Sequence, residues 1–221
     1  MNVITSQRGN GRSVIGVAIG IVFAVALAAA AGPLRPTDDL ITNGGFEDSL
    51  NGWSVVANGY GAGSYGGGYG LDPYEGSRYL AFWGQTGSMG GNGAVVSQSV
   101  AVHGNATHEL TLHVSRHGSS APVQITVSVV DDGGAGDSLL TQVFSPSPTG
   151  TWSQSTLSFV PAADTVLLQF QETSNNSNGT DPTVDAVSMI AYIPEPAGLA
   201  TGLCVLTTLL LTRPHRKSAV A

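Results

Sequence analysis

Three carboxylates from distant parts of the chain are the side chains best suited to chemistry. Glu47 follows the run NGGF, Glu75 follows a tyrosine, and Asp185 lies inside the apolar run TVDAVSM. Two such groups flanking a glycosidic bond could act as the carboxylate pair of a glycosidase. A single domain of about 160 residues leaves little scaffold for a deep catalytic cleft, so we expect no enzyme here.

Four histidines raise the possibility of a transition-metal site. They are His103, His108, His113 and His117. Only His113 and His117 fall on the same face of one predicted strand, and four residues at about 3.3 Å each separate them by about 13 Å. That distance is too long for two ligands of one ion, so no transition-metal site is predicted.

Exposed aromatic rings are the candidate ligand-binding groups. Flat rings can stack on the C–H faces of sugars, and the candidates are Tyr60, Tyr65, Tyr69, Tyr74 and Trp83. Trp53 and Trp152 are predicted to pack in the core instead. The strands around 111–117 and 124–128 could add hydrogen-bonding side chains on a concave sheet face, with a solvated outer face as the alternative.

Sequence motifs of known enzyme classes are missing or out of context. GAGSYG, residues 61–66, matches G-x-G-x-x-G but neither follows a predicted strand nor opens a helix. DDGGAGD, residues 131–137, lacks the ligand spacing of an EF-hand. The sequence has no G-x-S-x-G and no H-E-x-x-H motif.

Short alternating runs predict an all-β fold with about ten strands. Apolar and polar residues alternate in segments bounded by Gly, Asn, Asp, Ser and Pro, which is the pattern of half-buried strands. The segments are LITNG, GWSVV, RYLAFWG, AVVSQSVAV, ELTLHVSR, PVQITVSVVD, LLTQVF, TWSQSTLSFV, VLLQFQ and VDAVSMI. A single antiparallel β-sandwich is expected. The Gly/Tyr tract 57–77 is predicted to hold no regular structure, because glycine loses most entropy in an element.

The charge balance of residues 32–193 limits the partners. Three basic residues against 14 acidic ones give a net charge of −11 with histidine neutral. Nucleic acid is therefore excluded as a partner, while cations are favoured. Cys204 is the single cysteine, so no disulfide can form within the chain.

Both ends of the chain carry membrane-directed patterns. Arg8 and Arg12 precede an apolar run that ends in VALAAAAG, which predicts a signal peptide over residues 1–31; an uncleaved anchor is the alternative. Near the other end, residues 197–212 are uncharged and are followed by Arg213, Arg216 and Lys217. This run predicts a marginally long transmembrane helix whose basic end stays in the cytoplasm.

The C-terminal tail resembles the PEP-CTERM sorting signal of bacteria. Pro194, Glu195 and Pro196 precede the apolar run and the basic end, in the order that this family shows. The resemblance implies recognition and removal of residues 194–221 by an exosortase in the inner membrane. A plain C-terminal anchor with a chance Pro-Glu-Pro is the alternative. We therefore expect an exported protein of the cell surface or extracellular matrix, anchored in the membrane only before processing.

The ordered strands of residues 40–191 resemble galactose-binding-like jelly-roll domains, including carbohydrate-binding modules related to families 4, 9 and 22. The resemblance is carried by NGGFEDSLNGWSVV, GSRYLAFWG, VVSQSV, ATHELTLHVSR, TWSQSTLSFVPAADTVLLQF and VDAVSM. It implies a structural Ca²⁺ held by Gly45, Glu47, Glu75, Arg78 and Asp185 through side chains or carbonyls. Hard Ca²⁺ accepts oxygen ligands from distant segments, and the alternative is that Glu47 and Asp185 only cap turns.

Taken together, the sequence predicts three regions: a signal peptide over 1–31, a jelly-roll β-sandwich over 32–193, and a sorting signal over 194–221. The predicted function is non-catalytic binding of extracellular polysaccharide. The alternative is a purely structural matrix or adhesion protein that binds no glycan.

Overall fold

The computed structural model describes residues 34–57, 61–67, 70–83, 93–118, 122–132, 136–146, 150–174 and 180–194. These residues form β-strands and contain no helix long and apolar enough to cross a membrane. The strands are β1 (Leu34–Pro36), β2 (Ser54–Val56), β3 (Gly61–Gly66), β4 (Arg78–Trp83), β5 (Val95–Ala101), β6 (Thr107–His117), β7 (Ile125–Asp131), β8 (Ser138–Phe144), β9 (Ser153–Phe159), β10 (Thr165–Glu172) and β11 (Asp181–Pro194). The predicted signal peptide and transmembrane helix lie outside the described residues.

The strands form two antiparallel sheets. Sheet A has the order β3-β4-β11-β6-β9, and β1 pairs with the end of β11. Sheet B has the order β2-β5-β10-β7-β8. Strands that follow each other in sequence repeatedly fall in different sheets, as in jelly-roll sandwiches. The prediction of an all-β sandwich is confirmed.

The alternation of apolar and polar residues places the core between the two sheets. Its central members are Leu110, Leu112 and Val114 on β6 and Val166, Leu168 and Phe170 on β10, all buried. Trp53 bridges two other core rings, with its centroid 5.4 Å from Phe46 and 5.6 Å from Phe170. The prediction that Trp53 packs in the core is confirmed.

One predicted strand is wrong. LITNG, residues 40–44, is a loop that leads into a turn. Asn43 has a φ of 52°, which a strand does not allow, and its side-chain amide donates to the carbonyls of Ser49 and Asn51. The segment is therefore a turn, and the Asn43 side chain makes the hydrogen bonds to its backbone that a partner strand would otherwise make.

The prediction that tract 57–77 holds no regular structure is also wrong. Residues 61–66 form β3, the edge strand of sheet A, paired along its whole length with β4. Pairing with β4 gives the backbone groups of residues 61–66 hydrogen-bond partners. This stabilisation offsets the conformational entropy that the glycines lose.

The longest strand, β11, organises sheet A. β6 pairs along one edge, while β4 and then β1 occupy the other edge, at Thr183 to Val184 and at Tyr192 to Pro194. A bulge between Asp185 and Ser188 interrupts the register with β6. The backbone N–H of Val187 at this bulge donates to the carbonyl of Gly44 at 3.0 Å. The bulge therefore attaches the turn after residue 42 to sheet A.

Candidate functional site

The turn that carries Glu47 is stabilised by its own polar groups. The Asn43 side-chain oxygen accepts a hydrogen bond from the Asp48 N–H, and the Trp53 indole N–H donates to the Asn43 carbonyl. A Cβ on Gly44 would overlap the carbonyl of Val187, so only glycine allows this approach to β11. The run NGGFE thus forms a rigid turn seated on sheet A.

Glu47 joins this turn to the start of β4. Its carboxylate accepts the backbone N–H groups of Ser77 at 2.8 Å and of Arg78 at 2.9 Å, and the Ser77 hydroxyl at 2.6 Å. These bonds, the Ser77 hydroxyl first, hold the pKa of Glu47 below its usual value. The Arg78 guanidinium turns away and donates to Ser64 of β3.

Asp185 plays a similar role from β11. It is fully buried, and its Oδ2 accepts the backbone N–H groups of Tyr74 at 2.8 Å and Glu75 at 3.2 Å. Its Oδ1 accepts the N–H of Ala186 at 2.7 Å. Burial raises the pKa of Asp185 to about 6 against the opposing effect of these bonds. The buried carboxylate of Asp185 therefore holds the loop 72–77 to sheet A.

The structure brings the five predicted calcium residues into one region, which we call the carboxylate junction: Gly45, Glu47, Glu75, Arg78 and Asp185. A Cβ on Gly45 would lie 3.1 Å from Glu75 Oε1 and 3.9 Å from the Glu47 Cγ. The ligand chemistry fits Ca²⁺, since every candidate ligand atom is an oxygen. Among the described residues, however, no three metal-ligating side chains converge closely enough to hold an ion as they stand.

Trp83 lies flat on the neighbouring edge strand. It pairs with Gly61, and a Cβ on Gly61 would overlap the indole, while one on Gly63 would lie 3.1 Å from it. Two glycines at alternate positions of β3 thus make room for the ring, which is still 40 % exposed. We call Trp83, Gly61 and Gly63 the tryptophan platform. The match of GAGSYG to G-x-G-x-x-G therefore has a structural cause, because two of its glycines leave room for the indole of the neighbouring strand.

Two of the predicted tyrosines, Tyr65 and Tyr74, contact other aromatic rings. Tyr65 meets Trp83 edge-on, with centroids 5.5 Å apart at 83°. Tyr74 is 49 % exposed and stacks on His113 at 3.5 Å. Trp152, predicted as a core residue, is only half-buried and packs edge-on against Tyr79 at 5.9 Å. Tyr60 and Tyr69 lie outside the described residues.

The predicted shared face of the strands around 111–117 and 124–128 is wrong. The first strand is β6 of sheet A and the second is β7 of sheet B. Their polar residues therefore point to opposite outer surfaces of the sandwich. Alternation reveals which residues leave the core, but it cannot reveal which sheet a strand joins.

The outer surface of sheet B is uncharged across its central rows. One row is Ser54, Ser97, Gln169, Ser128 and Thr141, and the next is Val56, Val95, Gln171, Thr126 and Val143. We call these ten positions the polar face. Its side chains offer hydroxyls, amides and methyl groups and no charge, on a domain whose net charge is strongly negative. Of the two strands predicted to offer hydrogen-bonding side chains, only the one around 124–128, which is β7, contributes to this face.

The histidines are separated by the fold. His113 is buried under Tyr74, and burial lowers its pKa. His117 pairs with Asp181 at 3.3 Å. His108 is buried against Phe159 on the opposite face of β6, and burial lowers its pKa as well.

No protein-family model and no curated protein matches the sequence. The fold does match solved structures, including TmCBM61 in complex with β-1,4-galactotriose (TM-score 0.52, 13% identity, 69% of this chain and 98% of that one). Another is the Stig cyclase Fisc from Fischerella sp. TAU, bound to an indole derivative (0.58, 16%, 73% and 100%). A third is the CBM22-1–CBM22-2 tandem domain of Xyn10C from Paenibacillus barcinonensis (0.52, 19%, 76% and 48%). At these identities the likeness shows the fold, a sandwich shared by carbohydrate-binding modules and a cyclase.

Proposed function

We propose that the domain is a non-catalytic module that binds a neutral extracellular polysaccharide, with the tryptophan platform as its contact. The observation that carries this proposal is the indole of Trp83, which lies flat on glycine backbone and remains 40 % exposed. Full burial of this ring would stabilise the core further, so its exposed part is surface that a ligand can cover. Its exposed face has the shape needed to stack on a sugar ring.

The charge of the domain selects a neutral ligand. Fourteen acidic residues against three basic ones would repel uronate or sulfate groups. A neutral glycan instead needs hydrogen-bonding groups and flat apolar contacts. The solved relative TmCBM61 was crystallised with a neutral galactan fragment, which makes such polysaccharides the first ligands to test.

The carboxylates do not support catalysis as an alternative. Glu47 and Asp185, two of the candidates for a glycosidase pair, each accept hydrogen bonds from backbone N–H groups and serve as structural links. A glycosidase needs one carboxyl free to donate a proton to the leaving group.

The polar face of sheet B is a second candidate surface for the same ligand. Its rows of Ser, Thr and Gln could bind sugar hydroxyls without introducing charge. Gln169 lies at the centre of one row, between Ser97 and Ser128, and is therefore the residue whose loss would damage this face most.

We predict that wild-type protein is retained by a neutral polysaccharide such as galactan or xylan, and that Trp83→Ala weakens retention at least about 30-fold. The measurement is affinity electrophoresis or a pull-down over a panel of polysaccharides. Val160→Ala, which removes another exposed apolar side chain elsewhere, is the control and should bind like wild type.

The other outcomes are equally informative. Loss of binding in Gln169→Ala but not in Trp83→Ala would move the site to the polar face. Wild-type protein that binds no glycan in the panel would overturn the proposal and favour a purely structural matrix or adhesion protein.

We further propose that one Ca²⁺ binds at the carboxylate junction and holds the turn 43–48, the loop 72–77 and β11 together. Extracellular Ca²⁺ sites bind with dissociation constants of about 10⁻⁴ to 10⁻³ M. At ten times such a constant, the ion adds about 1.4 kcal/mol of stability, or about 3–6 °C in Tm. Thermal melting in 10 mM CaCl₂ against chelator measures this shift.

Two variants make the calcium test specific. Asp185→Asn removes a candidate ligand and should abolish the calcium-dependent shift in Tm. Asp164→Asn removes a carboxylate that accepts only from Gly104 in a distant turn, and the shift should persist. Identical melting curves of wild-type protein with calcium and with chelator would exclude the ion.

Export and processing complete the proposal. We propose that the chain crosses the inner membrane by its signal peptide, remains anchored by its C-terminal run, and is released by an exosortase to the cell surface or matrix. Support comes from the Pro-Glu-Pro motif and its flanking segments, of which only Pro194 lies in the described residues. Fractionation of cells that carry altered motif residues tests it, as argued in the Discussion.

A further inference from the structure

Glu172 is the most deeply buried acidic side chain outside the carboxylate junction. It is the last residue of β10, and the alternation of that strand places it on the same inward face as Leu168 and Phe170. Only 1 % of the side chain is exposed. A Cβ on Gly93 would lie 2.7 Å from the Cβ of Glu172, so the neighbouring backbone closes directly over it. The carboxyl group of Glu172 is therefore buried at the end of the hydrophobic core.

Its polar surroundings provide no counter-charge. Neither carboxyl oxygen of Glu172 has a hydrogen-bond partner with regular geometry, and the Ser174 hydroxyl is the one nearby group that favours the charged form. The nearby Ser174 hydroxyl donates to the Gln124 carbonyl. The acidic neighbour Asp181, the first residue of β11, is itself buried and paired with His117 at 3.3 Å. Burial, and secondly the charge of Asp181, raise the pKa of Glu172 to about 7 against the smaller opposing effect of the Ser174 hydroxyl.

The elements around Glu172 bring few other ionisable groups. β7 places the uncharged Ile125 opposite it, and Gly93 and Ala94 lie on its other side. At the near end of sheet A, β11 contributes Asp181 and β6 contributes His117, with Arg116 opposite Pro182. Of these groups, Asp181 is acidic and raises the energy of a charged Glu172. Asp181 itself is paired with His117.

A buried carboxyl group can be stabilised in three ways: by a hydrogen bond from a protein donor, by a bound metal ion, or by a proton that removes its charge. Among the described residues no donor makes a hydrogen bond of regular geometry to Glu172, the Ser174 hydroxyl opposes the raised pKa only weakly, and no group of three metal-ligating side chains occurs. A bare carboxylate in this position would carry the full cost of desolvation. Protonation removes the charge of Glu172 and requires no partner group.

We propose that Glu172 keeps its proton in the folded domain in mildly acidic solution, where the unfolded chain has already lost it, so that folding takes up a proton and the domain becomes more stable as its surroundings acidify. The sign follows from linkage. The folded state holds this proton up to about pH 7, whereas the unfolded chain releases it near the ordinary value of 4.5. The contribution is complete below about pH 4.5, declines as the pH rises through 7, and is lost above it.

Comparison of wild-type protein with Glu172→Gln isolates this proton, because glutamine has nearly the same shape and no charge. The full chain in mild detergent is unfolded with urea from pH 5 to 8.5, and the buried Trp53 reports unfolding by its fluorescence. We expect the ratio of the two unfolding constants to change about tenfold per pH unit between pH 5 and 7 and to level off above. The variant is expected to be the more stable protein at pH 8.5.

Glu109→Gln is the matched control, since Glu109 lies on β6 and accepts a hydrogen bond from Tyr192. It should retain the wild-type pH profile. Parallel pH profiles of wild-type protein and Glu172→Gln would overturn the proposal. If Glu172→Gln does not fold, infrared titration of wild-type protein decides: a protonated carboxyl band that disappears with a midpoint near pH 7 supports the proposal, and its absence at pH 6.5 refutes it.

Discussion

Replacing Gly61 with alanine is expected to weaken polysaccharide binding as much as removing Trp83, although residue 61 need not touch the ligand. The added Cβ would overlap the indole of Trp83, so the ring must tilt off β3 and lose its flat orientation. A tryptophan at the centre of a binding surface contributes about 2 kcal/mol or more, which corresponds to at least about 30-fold in Kd. Isothermal titration with a soluble oligosaccharide of the bound glycan measures the loss.

The same strand offers a matched control. A Cβ on Gly66 would meet only the Ser77 carbonyl at 3.7 Å, an ordinary contact, so Gly66→Ala should bind like wild type. Neither glycine has a positive φ, and alanine can adopt both backbone conformations without strain. Gly66→Ala should therefore melt close to wild type, whereas Gly61→Ala loses the packing of the indole on β3 and should melt at a lower temperature while remaining folded. Full binding by Gly61→Ala would mean that the orientation of Trp83 is irrelevant and that the ligand binds elsewhere.

The strands of this fold were predictable because burial on one face leaves a period of two in the sequence. ELTLHVSR and VLLQFQ show that period clearly, and both are central strands. β3 was missed because its stability comes from its partners β4 and Trp83, which a local reading of GAGSYG does not include. β1 is only three residues long and pairs with residues about 160 positions away, so no local pattern marks it.

The candidate site was predictable to a smaller extent. Resemblance to a known fold brought Glu47, Glu75 and Asp185 together, whereas the spacing of these residues in the sequence did not. The flat indole of Trp83 depends on a cross-strand pair with Gly61, and pairing is a tertiary property. Glu172 could have been found, because it continues the inward series of Leu168 and Phe170. A charged residue in phase with core positions signals either a buried pair or a shifted pKa.

Strand pairing also places Pro194, the first residue of the Pro-Glu-Pro run, at the end of the folded sheet. Residues Tyr192 to Pro194 pair with Leu34 to Pro36, so the chain reaches Pro194 as a strand with no linker. Thr37 extends this attachment through two hydrogen bonds with Ala191. If an exosortase acts near this motif, it must approach the end of a folded sheet. Any groups beyond β11 that the exosortase recognises must then belong to the residues that follow Pro194.

Replacing both Pro194 and Glu195 with alanine is therefore expected to block processing completely while leaving the domain folded. Pro194 is exposed and has no N–H to donate, so its loss removes no ladder hydrogen bond. With a C-terminal epitope tag, wild-type cells should release a shorter, untagged form from the inner membrane, and the variant should stay tagged in the membrane fraction. Pro36→Ala alters the paired strand opposite Tyr192 without touching the motif, and should be processed normally. Wild-type protein that keeps its tag in the membrane would show that the tail is a permanent anchor.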